Sequence, residues 1–230
     1  MLKKVAIITG ASGNLGQAVV KKFIDKDYHV IGTILNNDER KNYKEKNVEE
    51  TELNLLHEDD CKQFVEGVIA KNEIIDVAVL TAGGFAMSDI AGTKTSDIYS
   101  QYQLNFETAY NIARPVFTQM MKQNKGRIFL IGSRAGLDAS NAKGVTAYSL
   151  SKSLIFRLAE LMNTEAKNKN VVVSVIVPST IDTPPNRKSM PESDFGTWVL
   201  PSQIADVIYF YASDEAVSLR EPVIKVYNRS

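Results

Sequence analysis

Apolar residues along the chain fall into two patterns that alternate from one end to the other. Short continuous runs, such as residues 5–8 and 171–177, are typical of strands buried on both faces of a sheet. Longer segments, such as residues 57–71, repeat apolar residues at helical spacing. Because the two patterns alternate about seven times, the sequence predicts an α/β fold with a doubly wound, mostly parallel seven-stranded sheet and helices on both faces.

The individual elements follow from these runs and from the residues that interrupt them. Residues 97–123 are predicted as one long helix that Pro115 kinks or interrupts, since proline cannot donate the helical hydrogen bond. With no internal repeat or linker, residues 1–230 are predicted to form a single domain. Strands are predicted at residues 5–8, 29–34, 48–53, 74–80, 127–131, 171–177 and 222–227, and the other helices after residue 14 and at 57–71, 146–168 and 201–212.

Residues 178–198 form a long irregular stretch after the clearest of the predicted strands. Four of the seven prolines lie in residues 178–196, so we predict a stiff loop beside the substrate. Phe195 and Trp198 are large apolar residues in this polar stretch. Two roles are open for them: they anchor the loop to the body of the protein, or they cover a bound ring when the loop closes.

The composition is that of an ordinary globular protein, with 44% hydrophobic and 23% charged residues. Equal numbers of basic and acidic residues, 27 of each, give no electrostatic case for nucleic acid or an anionic membrane as a partner. The first apolar run is too short for a signal peptide, and no stretch approaches the ~20 apolar residues of a membrane span, so we expect a cytoplasmic protein. Cys61, the only cysteine, lies on a predicted core stripe, and no residue is predicted to bind a metal.

A segment rich in small residues, residues 9–16, joins the first predicted strand to the first helix. Small residues let the backbone approach a pyrophosphate, and the N-terminus of the helix supplies free N–H groups and positive potential. The alternative is an ordinary turn that needs glycine only for its backbone angles. We favour a dinucleotide site because strand, turn and helix occur in the required order.

Tyr148 and Lys152 lie four residues apart on a predicted helix and therefore share one face of it. A nearby cation lowers the pKa of a phenol from its ordinary value of about 10, so this pair suits proton transfer near neutral pH. Taken alone, the pair is more simply a surface tyrosine stacked along a lysine stem. The context favours chemistry, because residues 10–16, 81–84 and 178–183 each follow a predicted strand and are expected at one edge of the sheet.

These motifs, in this order, resemble the short-chain dehydrogenase/reductase family over essentially the whole chain. Asn14 replaces the middle glycine of the family's nucleotide loop, Ser179 replaces a glycine of its P-G-x-x-x-T motif, and Leu80-Thr81-Ala82-Gly83 is a half match to N-N-A-G. The resemblance implies a Rossmann-like fold and reversible hydride transfer between a nicotinamide cofactor and the carbonyl/alcohol pair of a small-molecule substrate. The full matches are Thr9, Gly10, Gly16, Asn105, Ser133, Tyr148, Lys152, Pro178 and Thr183.

The resemblance also implies a role for each matching side chain. Tyr148 is the acid and base, Lys152 holds the nicotinamide ribose and lowers the pKa of Tyr148, and Ser133 hydrogen-bonds the substrate oxygen. Asn105 holds a kinked helix and a water of the proton relay. The residues implied to bind the cofactor are Gly10, Ser12, Asn14, Leu15, Gly16, Asn54, Leu55, Ala82, Gly83, Tyr148, Lys152, Pro178, Ile181 and Thr183.

The choice between NAD and NADP as cofactor stays open. The acidic residue typical of NAD-binding sites is absent at the end of the second predicted strand, where Ile34 and Leu35 stand. The glycine loop offers Gly13 rather than a basic residue for a 2′-phosphate, which leaves Arg40 or Lys41 as candidates for that contact.

Two alternative activities and an assembly state also come from the resemblance. Residues 181–198 resemble quinonoid dihydropteridine reductases, so reduction of a quinonoid pterin or related ring is one alternative. A non-catalytic nucleotide-sensing protein on the same fold is the other, which the complete set of four matched polar side chains disfavours. The two longest predicted helices are expected to pair copies into a homodimer or homotetramer through Tyr102, Tyr110 and Phe156.

Overall fold

The structure, a computed structural model, describes residues 3–41, 43, 45 and 47–229. In this part of the chain seven strands form one sheet: β1 (Val5–Thr9), β2 (His29–Ile34), β3 (Val48–Glu52), β4 (Val77–Leu80), β5 (Lys125–Ile131), β6 (Asn170–Pro178) and β7 (Val223–Val226). All neighbouring strands are parallel, and their order is β3-β2-β1-β4-β5-β6-β7. The predicted fold class is confirmed.

Helices pack against both faces of this sheet. The described helices are α1 (Asn14–Asp25), α2 (Glu58–Asn72), α3 (Thr95–Tyr102), α4 (Thr108–Gln123), α5 (Arg134–Leu137), α6 (Thr146–Glu165), α7 (Pro184–Ser189) and α8 (Pro201–Ala212). Successive side chains of a strand point to opposite faces, so Ile7 joins a core formed with α2, α4 and α6, whereas Ile8 joins a core formed with α1 and α8. Both isoleucines are fully buried, as the continuous apolar run predicts.

The strand order reverses at β1, which lies between β2 and β4. At such a switch point, the loops leave the carboxyl ends of the strands in opposite directions and open a crevice for a ligand. The loops after β1 and β4 are in close contact here, because a Cβ added to Gly10 would lie 3.1 Å from the backbone of Ala82. The topology therefore places the glycine loop and residues 82–84 at the same edge of the sheet.

The glutamate-rich β3 and the lone cysteine both behave as predicted. β3 is an edge strand that pairs only with β2, and there Glu49 lies 3.5 Å from Lys71 and 3.4 Å from His29. Solvent access and these partners make the acidic side chains tolerable. Cys61 is fully buried, and burial raises the pKa of its thiol to about 11, which fits a core residue.

Of the two outcomes predicted at Pro115, a kink or an interruption, the interruption is wrong. α4 continues through this proline, and the departure from regular helix lies earlier, in a π-helical turn at Gln103–Glu107. A proline removes a single helical N–H donor, and the packed apolar face of α4, with Ile112 and Val116 fully buried, holds the helix together across it.

The prediction that residues 178–198 are irregular throughout is also wrong. Thr183 caps the helix α7, which begins with two prolines in positions that need no helical N–H bond. Trp198 is only 6% exposed, its ring centroid lies 4.8 Å from that of Phe195, and the Arg187 guanidinium lies 4.7 Å from the Phe195 centroid. These contacts favour the anchoring role for both aromatic residues.

None of the helices that the structure describes is both long enough and apolar enough to cross a membrane.

Candidate active site

The glycine loop is built so that the N-terminus of α1 lies directly behind the end of β1. Gly10 has a left-handed φ of 62°, and a Cβ on Gly16 would collide with the Gly10 carbonyl oxygen. Gly13 precedes α1 and has no side chain to cap its first N–H groups. Asn14 is the first residue of α1, so it does not carry the unusual backbone angle that a middle glycine would. The loop leaves helical N–H groups facing the crevice, which suits a pyrophosphate.

Lys152 is the only charged residue among the full matches to the family, and it is buried, with 5% of its surface exposed. Its Nζ donates a hydrogen bond to the Ile131 carbonyl at the end of β5, at 2.8 Å. Burial lowers the pKa of the Lys152 ammonium to about 8. An ammonium has three N–H donors, so this one carbonyl leaves capacity for the hydroxyls of a ribose.

Tyr148 lies beside Lys152, whose Nζ is 6.0 Å from the centroid of the phenol ring. Burial raises the pKa of Tyr148, and the hydrogen bond with the Ser133 side chain offsets this only in part. The pKa of Tyr148 is therefore raised and not lowered as expected, because burial of the phenol outweighs the effect of its polar neighbours.

Ser133 follows β5 and has two roles in the structure at once. Its Oγ accepts a hydrogen bond from the Gly136 backbone N–H at 3.0 Å and so caps α5. The same side chain lies near the Tyr148 phenol and acts to lower its pKa. Ser133 is buried, which fixes its hydroxyl next to the phenol.

Asn105 lies in the π-helical turn and connects three parts of the site. Its Oδ1 accepts from the Gly84 N–H at 3.0 Å, and its Nδ2 donates to Gln101 at 3.1 Å and to the Ser151 Oγ at 3.2 Å. Asn105 is 1% exposed. A π-helical turn stands where a kinked helix is expected, and it directs the amide between the loop after β4 and the helix α6.

The remaining predicted cofactor residues divide into two groups. Pro178 ends β6, Ile181 is partly buried, and Thr183 caps α7, so all three follow the carboxyl end of a strand as expected. Leu55, in contrast, is buried in the core, and its carbonyl accepts from Asn111 at 2.9 Å. The Leu55 side chain therefore supports the fold, while Asn54 is exposed.

Sequence reasoning missed an apolar wall beside the phenol. The ring of Phe85 lies edge-on to Tyr148 with 5.0 Å between centroids, although 61% of Phe85 is exposed. Met87 and Ile90 in the same loop are also exposed, and a hydrogen bond of 2.9 Å from the Thr146 N–H to the Ser88 carbonyl ties this loop to the start of α6. The available signal was the position of Phe85 immediately after the small residues 81–84.

Sequence reasoning also missed a carboxylate at the glycine loop. Ser12 Oγ donates to Glu39 Oε2 at 2.5 Å. Arg40, one of the residues considered for a 2′-phosphate, instead donates to the Glu50 carbonyl at 2.8 Å and to Asn37 at 2.7 Å. No signal in the sequence distinguishes Glu39 from its polar neighbours.

The arrangement fits a dinucleotide cofactor. The glycine loop has room for a pyrophosphate only because its glycines have no Cβ atoms. The buried Lys152 ammonium has N–H donors that no group of the described residues uses. No cluster of three or more potential metal ligands occurs in the part of the chain that the structure describes. The family model described as short chain dehydrogenase matches residues 4–194.

The chain belongs to the short-chain dehydrogenase family. Family members are oxidoreductases that use NAD or NADP, and this chain is one of them.

The similarity extends over nearly the full length of known relatives. The 3-oxoacyl-(acyl-carrier-protein) reductase FabG of Thermotoga maritima is 28% identical, with 97% of this chain and 96% of the relative covered. The acetoacetyl-CoA reductase of an Acinetobacter species is 27% identical over 79% of this chain and 76% of that enzyme. The chain also superposes on ElxO with NADP bound, with a TM-score of 0.89, 22% identity and coverage of 98% and 97%.

The first prediction concerns the glycine loop. Gly16→Ala should weaken binding of NAD and NADP by at least about tenfold, because the added methyl group forces α1 away from the Gly10 carbonyl. Titration calorimetry measures this directly. Gly67→Ala is the matched control, since a Cβ at that helical position meets nothing within 4 Å; it should bind normally and gain about 0.5–1 kcal/mol in stability. Normal cofactor binding by Gly16→Ala would contradict the proposal that the glycine loop holds the pyrophosphate.

The second prediction concerns the pH dependence of stability. The folded protein releases the Lys152 proton near pH 8, whereas an unfolded lysine releases it near pH ~10.4, so the unfolded chain binds more protons between these values. Relative to Lys152→Met, the free energy of unfolding of the wild type should therefore rise by about 1–3 kcal/mol from about pH 7 to about pH 10.

Urea titrations at several pH values measure this difference. Lys143→Met, at an exposed position, should show no such trend. A constant difference between wild type and Lys152→Met would mean that the folded protein does not lower the pKa of Lys152.

Proposed function

We propose that the protein transfers hydride between NAD(P) and the carbonyl/alcohol pair of a small-molecule substrate, with Tyr148 as the acid and base. The observation that carries this proposal is the placement of the Tyr148 phenol beside the Ser133 side chain and the buried ammonium of Lys152. When bound, the nicotinamide supplies or accepts the hydride. The residues of the chain supply the proton and the orientation.

In the direction of reduction, the Tyr148 hydroxyl donates its proton to the substrate oxygen, and the Ser133 hydroxyl hydrogen-bonds the same oxygen. The raised pKa of Tyr148 keeps the phenol protonated before the reaction, as a donor requires. The positive charge of Lys152 then stabilises the phenolate that remains. Asn105 holds the loop after β4 and the helix α6 in position through its hydrogen bonds with Gly84 and Ser151.

The apolar ring of Phe85 beside Tyr148 favours a carbonyl compound with an apolar substituent. A 3-oxoacyl thioester fits this description and is the class named for the relatives of this chain. We therefore propose it as the first substrate class to test. Reduction of a quinonoid pterin stays a prediction from residues 181–198. A nucleotide sensor is disfavoured because it needs no proton donor.

The third prediction tests the role of Tyr148. Tyr148→Phe removes the proton but keeps the ring against Phe85, so turnover of acetoacetyl-CoA should fall by about 10²–10⁴. Cofactor binding, followed by nicotinamide fluorescence, should stay within about threefold of wild type. Tyr99→Phe, at an exposed position on α3, is the control and should leave the rate unchanged. Activity of Tyr148→Phe close to wild type would exclude this acid–base role.

The fourth prediction concerns assembly into a homodimer or homotetramer. Tyr110 and Phe156 pack against the core, so of the three residues first expected only Tyr102 is exposed. Leu154 and Leu161 on α6 are exposed as well and extend the apolar surface. Light scattering should give the mass of two or four 25.5 kDa chains, and Leu154→Arg should lower it. A wild-type monomer at micromolar concentration would refute this assembly.

A further inference from the structure

The loop after β2 places one carboxylate against the glycine loop. Glu39 ends a short 3-10 turn, Asn37–Glu39, and its Oε2 accepts the hydroxyl of Ser12 at 2.5 Å. Its other oxygen accepts from the Asn36 side chain at 3.2 Å. Glu39 is partly buried, whereas the residues on either side of it are exposed. One oxygen of the carboxylate is therefore held at the glycine loop.

Ser12 is itself fixed within the glycine loop. Its carbonyl accepts a hydrogen bond from the Gln17 side chain at 2.7 Å, which ties it to the first turn of α1. A dinucleotide whose pyrophosphate lies at this helix N-terminus has its adenosine ribose on the side of β2. Ser12 follows β1 and Glu39 follows β2, so their hydrogen bond joins the glycine loop to the side of the crevice where the adenosine ribose is expected.

The usual acidic position in such folds is unavailable here. Ile34, at the end of β2, is buried in the core, and the exposed Leu35 has no polar side-chain atom. Glu39, five residues beyond the end of β2, instead brings an acceptor to the glycine loop through the 3-10 turn. A ribose 2′-hydroxyl can donate a hydrogen bond to this carboxylate, as it does to the acidic residue of other NAD-binding sites in this kind of fold.

The charges around Glu39 oppose a 2′-phosphate. Such a phosphate carries between one and two negative charges near neutral pH. The Arg40 guanidinium is directed to the Glu50 carbonyl and to Asn37, and Glu39 has no ion pair with any described residue. A carboxylate without a compensating cation repels the phosphate at hydrogen-bonding distance.

We infer that Glu39 is the residue that selects NAD over NADP in this protein. The inference rests on the proposed function, because it concerns the cofactor of that same site. It also separates this chain from the structural neighbour that was solved with NADP, which shares the fold at 22% identity. The Ser12 hydroxyl positions the carboxylate and keeps it at the ribose.

The fifth prediction tests this inference through binding constants without turnover. Titration calorimetry of the full-length wild type should give a Kd for NAD at least about tenfold below that for NADP. Glu39→Gln keeps the size of the side chain but removes its charge, so the two constants should come within about threefold of each other. Glu39→Lys should reverse the order in favour of NADP, because an ammonium attracts the 2′-phosphate.

Asp38→Asn is the matched control, since Asp38 lies in the same 3-10 turn, carries the same charge and is exposed. This variant should keep the wild-type ratio of the two constants. Circular dichroism spectra that match the wild type show that each variant is folded. The three variants together separate a specific contact from a change in local charge.

Three results would overturn the inference. Wild type that binds NADP as tightly as NAD or more tightly contradicts the role of Glu39 but leaves the oxidoreductase proposal standing. Equal shifts in Glu39→Gln and Asp38→Asn would show that local charge, and not the contact with the glycine loop, decides. Wild type that binds neither nucleotide would refute both the inference and the proposed function.

Discussion

A buried ammonium that has one carbonyl partner is the group on which the rest of the site depends. Lys152 is almost completely buried and donates a hydrogen bond to the Ile131 carbonyl at the end of β5. The space around it exists because Gly83 has no side chain: a Cβ there would lie 3.5 Å from the ammonium and 2.7 Å from the Asn105 amide oxygen. The loop after β4, the π-helical turn and α6 therefore pack around a charge that the protein keeps at a cost in stability.

The burial that lowers stability also changes the pKa values of Lys152 and Tyr148. Desolvation lowers the pKa of Lys152 and raises the pKa of Tyr148, so the two groups depart from their ordinary values in directions that disfavour charge on both. Sites whose titratable groups are perturbed by burial are characteristic of catalysis, because a ligand can later supply the missing partners. The ribose hydroxyls of the proposed nucleotide would be partners of this kind for Lys152. The site is thus arranged for a ligand rather than for maximal stability.

Much of the fold and part of the site were predictable from local sequence. The continuous apolar runs at β1, β2 and β6 give strands whose observed bounds differ from the predicted ones by one residue or none. Parallel strands have their carboxyl ends on one edge, which explains why residue order and spacing predict that Gly10 and Ser133 lie at one edge of the sheet. Helix interruption at Pro115 was predicted wrongly because local propensity yields to packing of the buried face of α4.

The sequence by itself determined the α/β class and the glycine loop, since both depend on residue type and spacing, and its family resemblance proposed the set of Asn105, Ser133, Tyr148 and Lys152. Only the tertiary structure decided the direction of the phenol pKa, the wall at Phe85 and the carboxylate of Glu39 at Ser12. These features arise between side chains far apart in the sequence, and burial, which sets the pKa values, belongs to the packed molecule. A pattern of residues within one element contains no information about which distant side chain will meet it across the crevice.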